Sequence, residues 1–229
     1  MSPILNTIIL IIISSIILYI LYKILFGRSK KVIRNTIMII GPSQSGKTTF
    51  FYYLIGNENQ KTIMSMQPNE LNDMKTPFLN NKYDIIDYPG TGYYQEMIIN
   101  KIIQTKIILL FIDSSDKNSI VQSAKYIYDI LNSDKFDLDT NLVICCNKQD
   151  NNFPKTKKII EDELNKEIEN LKIIKQKNNL EDSVNMGYIF QMKKKFNFKM
   201  FENVIFVESD MKSKYVNIIN KLKEILESH

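Results

Sequence analysis

The chain has a single histidine in 229 residues, and it stands at the very end, His229. That leaves no imidazole for general-base or metal chemistry inside a folded core. Cysteine is almost as scarce. Cys145 and Cys146 are neighbours, and neighbours on a strand point to opposite faces, so the pair reads as reduced core thiols rather than a disulfide. Arginine occurs only at positions 28 and 34. No zinc-ligand spacing and no basic stretch interleaved with aromatics is present, which argues against direct nucleic-acid binding. The formal charge of +5 fits a surface close to anionic lipid.

Apolar residues, by contrast, are abundant at 44%, enough for one α/β domain with a full core and an appendage. The run "ILNTIILIIISSIILYILY", Ile4 to Tyr22, carries no charge over 19 residues. As a helix it spans roughly 28 Å, about the hydrocarbon thickness of a bilayer. Thr7, Ser14 and Ser15 can bond back to helix carbonyls. No basic start and no small-residue cleavage site accompany the run, so it reads as an uncleaved signal anchor. Lys23, Arg28, Lys30, Lys31 and Arg34 all follow it, placing the remainder in the cytosol. The expected organisation is a transmembrane anchor over 1–27, a basic juxtamembrane linker over 28–35 and a globular domain over 36–229.

Within that domain apolar runs alternate with amphipathic stretches. Strands are expected at 36–41, 83–87, 106–113, 141–147 and 203–209, most of them continuous Ile/Val/Leu runs suited to a mostly parallel sheet buried on both faces. Helices are expected at 47–55, 93–103, 118–132, 155–172 and 214–227. The alternation predicts a doubly wound α/β fold. Residues 173–200, rich in Lys and Asn, read as an insertion or flexible loop.

Three motifs fall at expected strand ends. "GPSQSGKT" matches G-x-x-x-x-G-K-[ST] between a strand and a helix. The amides of Gly41, Pro42, Ser43, Gln44, Ser45, Gly46, Lys47, Thr48 and Thr49 (proline's excepted) would cradle phosphates at a helix N-terminus. Lys47 would reach the β- and γ-phosphates, and the Thr48 hydroxyl would bind Mg²⁺. In "DYPGTGYY", Asp87 suits a water-mediated Mg²⁺ contact and the Gly90 amide the γ-phosphate. "KTIMSMQP" supplies a second Mg²⁺ hydroxyl, Thr62 or alternatively Ser65. In "NKQD" the Asp150 carboxylate can accept from the paired donors of guanine, with Asn147 and Lys148 beside it. Asp210 and the Met211 amide in "VESDMK" are candidates to close over the base. The expected ligands are GTP or GDP with Mg²⁺.

The order "GPSQSGKT", "DYPG", "NKQD", "VESDMK" resembles a small GTPase. With the anchor, the long helix after "NKQD" and the lysine-rich insertion, the chain resembles the signal recognition particle receptor beta-subunit family, related to the Arf/Sar group. The resemblance implies a P-loop small-GTPase fold and an endoplasmic-reticulum location with the GTPase domain cytosolic. It also implies a GTP-bound form that holds the receptor's alpha subunit at the membrane, serving ribosome and translocon indirectly in co-translational targeting. The family often has histidine after its D-x-P-G, where this chain has Thr91, and "DMK" stands in place of an "SAK"-like triplet.

Three functions stay in view. The first is the receptor subunit with weak or partner-dependent hydrolysis. The second is an Arf/Sar-type trafficking switch, which a permanent anchor and the lack of Gly after Met disfavour. The third is a tethering scaffold with structural nucleotide. Thr91 is too short to orient water, and neither arginine is placed to assist in cis, so no residue beyond the charge-stabilising Lys47 is a confident catalytic group.

Overall fold

The computed structural model describes residues 11–21, 34–57, 66–178 and 188–227. The chain divides into two compact units, Met1–Ile33 and Arg34–His229. In the first, residues 11–21 form a helix (α1) whose side chains are exposed all round. Ser14 Oγ and Ser15 Oγ both donate to the carbonyl of Ile11, at 2.9 and 2.8 Å, which is the back-bonding that keeps hydroxyls tolerable in an apolar helix. Among the described residues no helix is long and apolar enough to cross a membrane. The ends of the expected anchor and the basic residues up to Lys31 lie outside the described residues.

The second unit is built on a six-stranded sheet in the order β2-β3-β1-β4-β5-β6. Its strands are β1 (Thr36–Ile40), β2 (Asn69–Lys75), β3 (Lys82–Asp87), β4 (Thr105–Asp113), β5 (Asn141–Asn147) and β6 (Val204–Glu208). All neighbours pair in parallel except β2, which runs antiparallel to β3 at one edge. The central strands are apolar on both sides because both faces are covered. Met38, Ile40, Ile108, Leu110, Leu142, Ile144 and Cys146 face one core, under α4 (Lys117–Leu131) and α5 (Lys157–Asn178). Ile37, Ile39, Ile107, Leu109, Phe111, Val143 and Cys145 face the other, under α2 (Lys47–Leu54) and α7 (Val216–Glu227). The two cysteines thus lie in opposite cores, free and buried.

All five expected strands are present within a residue or two of their predicted ends, and all five helices are present too, with local differences in their bounds. The stretch expected as one helix over 93–103 is a 3-10 turn, then α3 (Gln95–Lys101), then a second 3-10 turn. The last helix starts at Val216 because Lys214 and Tyr215 both have φ of 52°, a left-handed pair no α-helix continues through. Strand β2, "NELNDMK", escaped the apolar pattern altogether. As an edge strand it is half solvated, so only Leu71 and Met74 of its side chains are apolar and pack on the core, and Asp73 (φ 52°) sits in an irregularity of its pairing with β3.

Of the stretch 173–200, expected as an insertion or flexible loop, residues 179–187 lie outside the described residues, and the described parts on either side are more ordered than a loop. α5 runs on to Asn178, a short helix α6 occupies Tyr188–Gln191, and Ile189, Phe196 and Phe198 are buried in the core. The long helix holds this return segment with side chains. The Phe196 amide donates to Glu169 (2.8 Å) and the Phe198 amide to Asn165 (3.1 Å), while Lys172 Nζ donates to the carbonyl of Lys194 (3.0 Å). A charge-rich composition masked a few well-placed aromatic anchors.

Candidate functional site

Every motif loop leaves the sheet at the carboxyl ends of the strands, on one edge. The registers set them level. Ile39 pairs with Asp87, Asp113 with Asn147 and Cys146 with Glu208.

The loop after β1 turns into α2 through Gly46, whose φ of 97° puts it in the left-handed region at the helix N-cap. A Cβ there would lie 2.3 Å from Asn147 Nδ2, so a side chain at position 46 is excluded by conformation and space together. Gly90 makes a second close approach. A Cβ on it would meet the Ser43 amide nitrogen at 2.2 Å, which means that the "DYPG" backbone lies directly on the loop. Lys47 opens α2, is 5% exposed and donates from Nζ to the carbonyl of Pro42 at 2.6 Å. Burial lowers its pKa to about 8, against the opposing pull of the Asp87 charge. Asp87 ends β3 at 1% exposure, and burial raises its pKa although Thr48, Asn69 and Lys47 each stabilise the anion.

The hydrogen bonds of that carboxylate are one-sided. Thr48 Oγ1 donates to Oδ2 at 2.8 Å and Asn69 Nδ2 donates to the same oxygen at 3.2 Å. Among the described residues Oδ1 is buried with no partner, as is the hydroxyl of Ser45 in the loop. A buried acceptor and a buried hydroxyl left unmatched, beside a desolvated lysine, are the groups that an anion with a hard divalent cation would satisfy. Among the described residues no cluster of three or more His, Cys, Asp or Glu could hold a metal ion. A cation at the Thr48 and Asp87 oxygens would therefore complete its shell with phosphate oxygens and water, as Mg²⁺ readily does.

On the other side of the edge, Asn147 ends β5 at 2% exposure and ties three loops together. Its Nδ2 donates to the carbonyl of Ser45 at 2.8 Å, and its Oδ1 accepts from Ser209 Oγ at 3.2 Å. Lys148 takes φ 62° and its Nζ pairs with Asp113 Oδ2 at 2.6 Å. Burial pushes the Asp113 carboxyl up, but the bonds from Lys148 and Ser115 outweigh it and hold the group below its ordinary value. Asp150 faces Lys212 Nζ at 3.7 Å. Asp210 caps its own turn, accepting from the Ser213 amide at 2.6 Å, and Met211 is exposed.

The sequence-predicted residues from Gly41 to Thr49, with Asp87, Gly90, Asn147, Lys148, Asp150, Asp210 and Met211, thus all lie at the ends of strands on this edge, in the loops that follow them or in the first turn of α2. Thr62 and Ser65 lie outside the described residues. Thr91 is exposed ahead of the 3-10 turn, and the next glutamine, Gln95, donates its amide to Asp129 of α4. Three participants were missed. Asn69 comes from the unrecognised strand, Ser209 looked like an ordinary strand end, and Asp113 could have been found as the lone acid closing an apolar strand.

Comparison with known proteins agrees with this arrangement. The family model described as "Signal recognition particle receptor beta subunit" matches residues 32–205. The mouse protein "Signal recognition particle receptor subunit beta" is 24% identical over 148 residues, covering 63% of this chain and 55% of its own length. This chain therefore spans little more than half of that relative. A structure of the mammalian SRP receptor aligns with a TM-score of 0.68 at 23% identity, covering 83% of this chain and 99% of the other. The structure "Signal recognition particle receptor SRb-GDP-Mg" from Chaetomium thermophilum aligns at 0.55 and 18% identity, over 80% of this chain and 90% of that one. At these identities the structural likeness is one of fold, and the fold is that of a small GTPase.

Proposed function

The chain belongs to the signal recognition particle receptor beta-subunit family, and on that premise we propose that it binds guanine nucleotide with Mg²⁺ and, in its GTP form, holds the receptor's alpha subunit. The observation that carries the reading is the meeting of a P-loop, an Asp-x-x-Gly segment and an Asn-Lys-x-Asp segment on one sheet edge, the first two joined by the Thr48–Asp87 bond and the first and third by the bond from Asn147 to Ser45. Lys47 and the loop amides would hold the phosphates, and Thr48 and Asp87 the cation. Asp150 would select guanine, with Asp210 and Met211 beside the base. A Mg²⁺ held there would supply charge neutralisation to the bound phosphates. The Chaetomium thermophilum structure, described as SRb-GDP-Mg, supports this choice of ligand.

Hydrolysis in this reading is slow. Thr91 is too short to hold a water in line, and Gln95 is committed to Asp129. Residues 1–27 would anchor the protein in the endoplasmic-reticulum membrane, with the domain in the cytosol serving co-translational targeting. The test is a pull-down by the chain loaded separately with GTP and GDP. Retention of the alpha subunit by the GTP form alone supports the reading, and equal retention by both forms contradicts it.

A further inference from the structure

Among the described residues the Asp87 carboxylate takes two side-chain donors on one oxygen and none on the other, and the asymmetry has a structural source. Thr48 belongs to α2, the helix that follows β1, whereas Asn69 belongs to β2. In the antiparallel pairing of β2 with β3, Asn69 stands directly opposite Asp87. Backbone register therefore delivers the amide to Oδ2 at 3.2 Å. Two donors from two different elements, converging on one oxygen of a carboxylate only 1% exposed, fix its rotation about the Cβ–Cγ bond.

We propose that Asn69 is a positioning residue for the cation site, holding the Asp87 carboxylate so that Oδ1 is left to the cation or its bound water. The inference rests on the nucleotide and Mg²⁺ reading given above. The chemistry of the side chain suits the role. A neutral amide donates a hydrogen bond without adding charge. A lysine in its place would neutralise Asp87 and compete with the cation, and a second carboxylate would repel Asp87 when the cation is absent. The Thr48 hydroxyl can bind a cation through its oxygen while still donating its hydrogen to Oδ2, so the two donors do not conflict. Outer partners of metal-facing groups commonly alter metal affinity by roughly 10–100-fold when removed. Asn69 also begins the edge strand, so the cation's hold on the nucleotide would be felt by β2.

The experiment measures release of mant-GDP from the full chain, once with millimolar Mg²⁺ and once with EDTA, for the wild type and Asn69→Leu. Leucine keeps the shape of asparagine and removes the donor; Asn69→Ala serves if the leucine variant does not fold. The quantity read is the factor by which Mg²⁺ slows release. That factor is expected to fall roughly tenfold or more in the variant, with EDTA rates alike in the two proteins. An unchanged factor overturns the proposal. So does an equal acceleration in both conditions, because a merely structural loosening of β2 would act with or without the cation. A wild type that fails to retain mant-GDP in either condition overturns the nucleotide reading itself, and this inference with it.

Discussion

The two halves of the site differ in how far the protein satisfies itself. On the β1/β3 side, Ser45 Oγ and Asp87 Oδ1 are buried without partners, and Lys47 is desolvated far enough to shift its pKa. On the β5/β6 side the polar groups are matched internally: Asn147 with Ser45 and Ser209, Lys148 with Asp113, Asp150 with Lys212, Asp210 with Ser213. The first half has the character of a site built for charges it does not itself contain. The second is a pre-formed frame that shapes specificity. Binding energy should then depend mainly on the first and selectivity on the second.

The largest effect is expected where the halves are joined. Gly46→Ala forces a side chain into left-handed backbone and against the Asn147 amide, so it should destabilise the domain by about 2–3 kcal/mol. It should also cut nucleotide affinity by roughly a hundredfold or more. Urea unfolding and fluorescent-nucleotide titration would show both losses together. Next, Asp150→Asn acts on the frame alone. It should weaken GTP by roughly a hundredfold and shift preference toward xanthine nucleotide, with the melting temperature nearly unchanged. Competition between GTP and XTP reads this directly. A smaller gain is expected from Thr91→Gln, which offers a side chain long enough to orient water, raising single-turnover hydrolysis by roughly tenfold.

The smallest effect sits in the Lys148–Asp113 pair. A carboxyl whose folded pKa is depressed adds stability that is complete above its unfolded value, about pH 4, and lost as pH falls through the folded value. Lys148→Met removes the largest of the bonds that depress it. Stability should therefore fall by a small amount at neutral pH, where the contribution is complete, and the difference from the wild type should vanish as pH falls through the folded value, which chemical unfolding at a series of pH values would read.

The difference between the halves also explains what was legible in the sequence. Continuous apolar runs marked β1, β3, β4, β5 and β6, because strands covered on both faces have no room for polar side chains. Lys47, Asp87 and Asp150 were legible because their chemistry ties them to fixed spacing after a strand. Asn69 was not, since a solvated edge strand such as "NELNDMK" carries no periodic signal, and its role arises only from register with β3. Residues 188–200 misled for a related reason. Their lysines and asparagines suggest a loop, but Ile189, Phe196 and Phe198 are buried, and Glu169 and Asn165 of α5 receive the amides of the two phenylalanines. Periodicity records an element's face toward the core, and it is silent on what a distant helix supplies.

The most direct measurement is an equilibrium titration of the full chain with GDP and with ADP in the presence of Mg²⁺. One guanine-nucleotide site formed by both halves predicts saturable binding of GDP, tighter than ADP by roughly a hundredfold or more. Equal affinity for the two, or no binding of GDP, would contradict it.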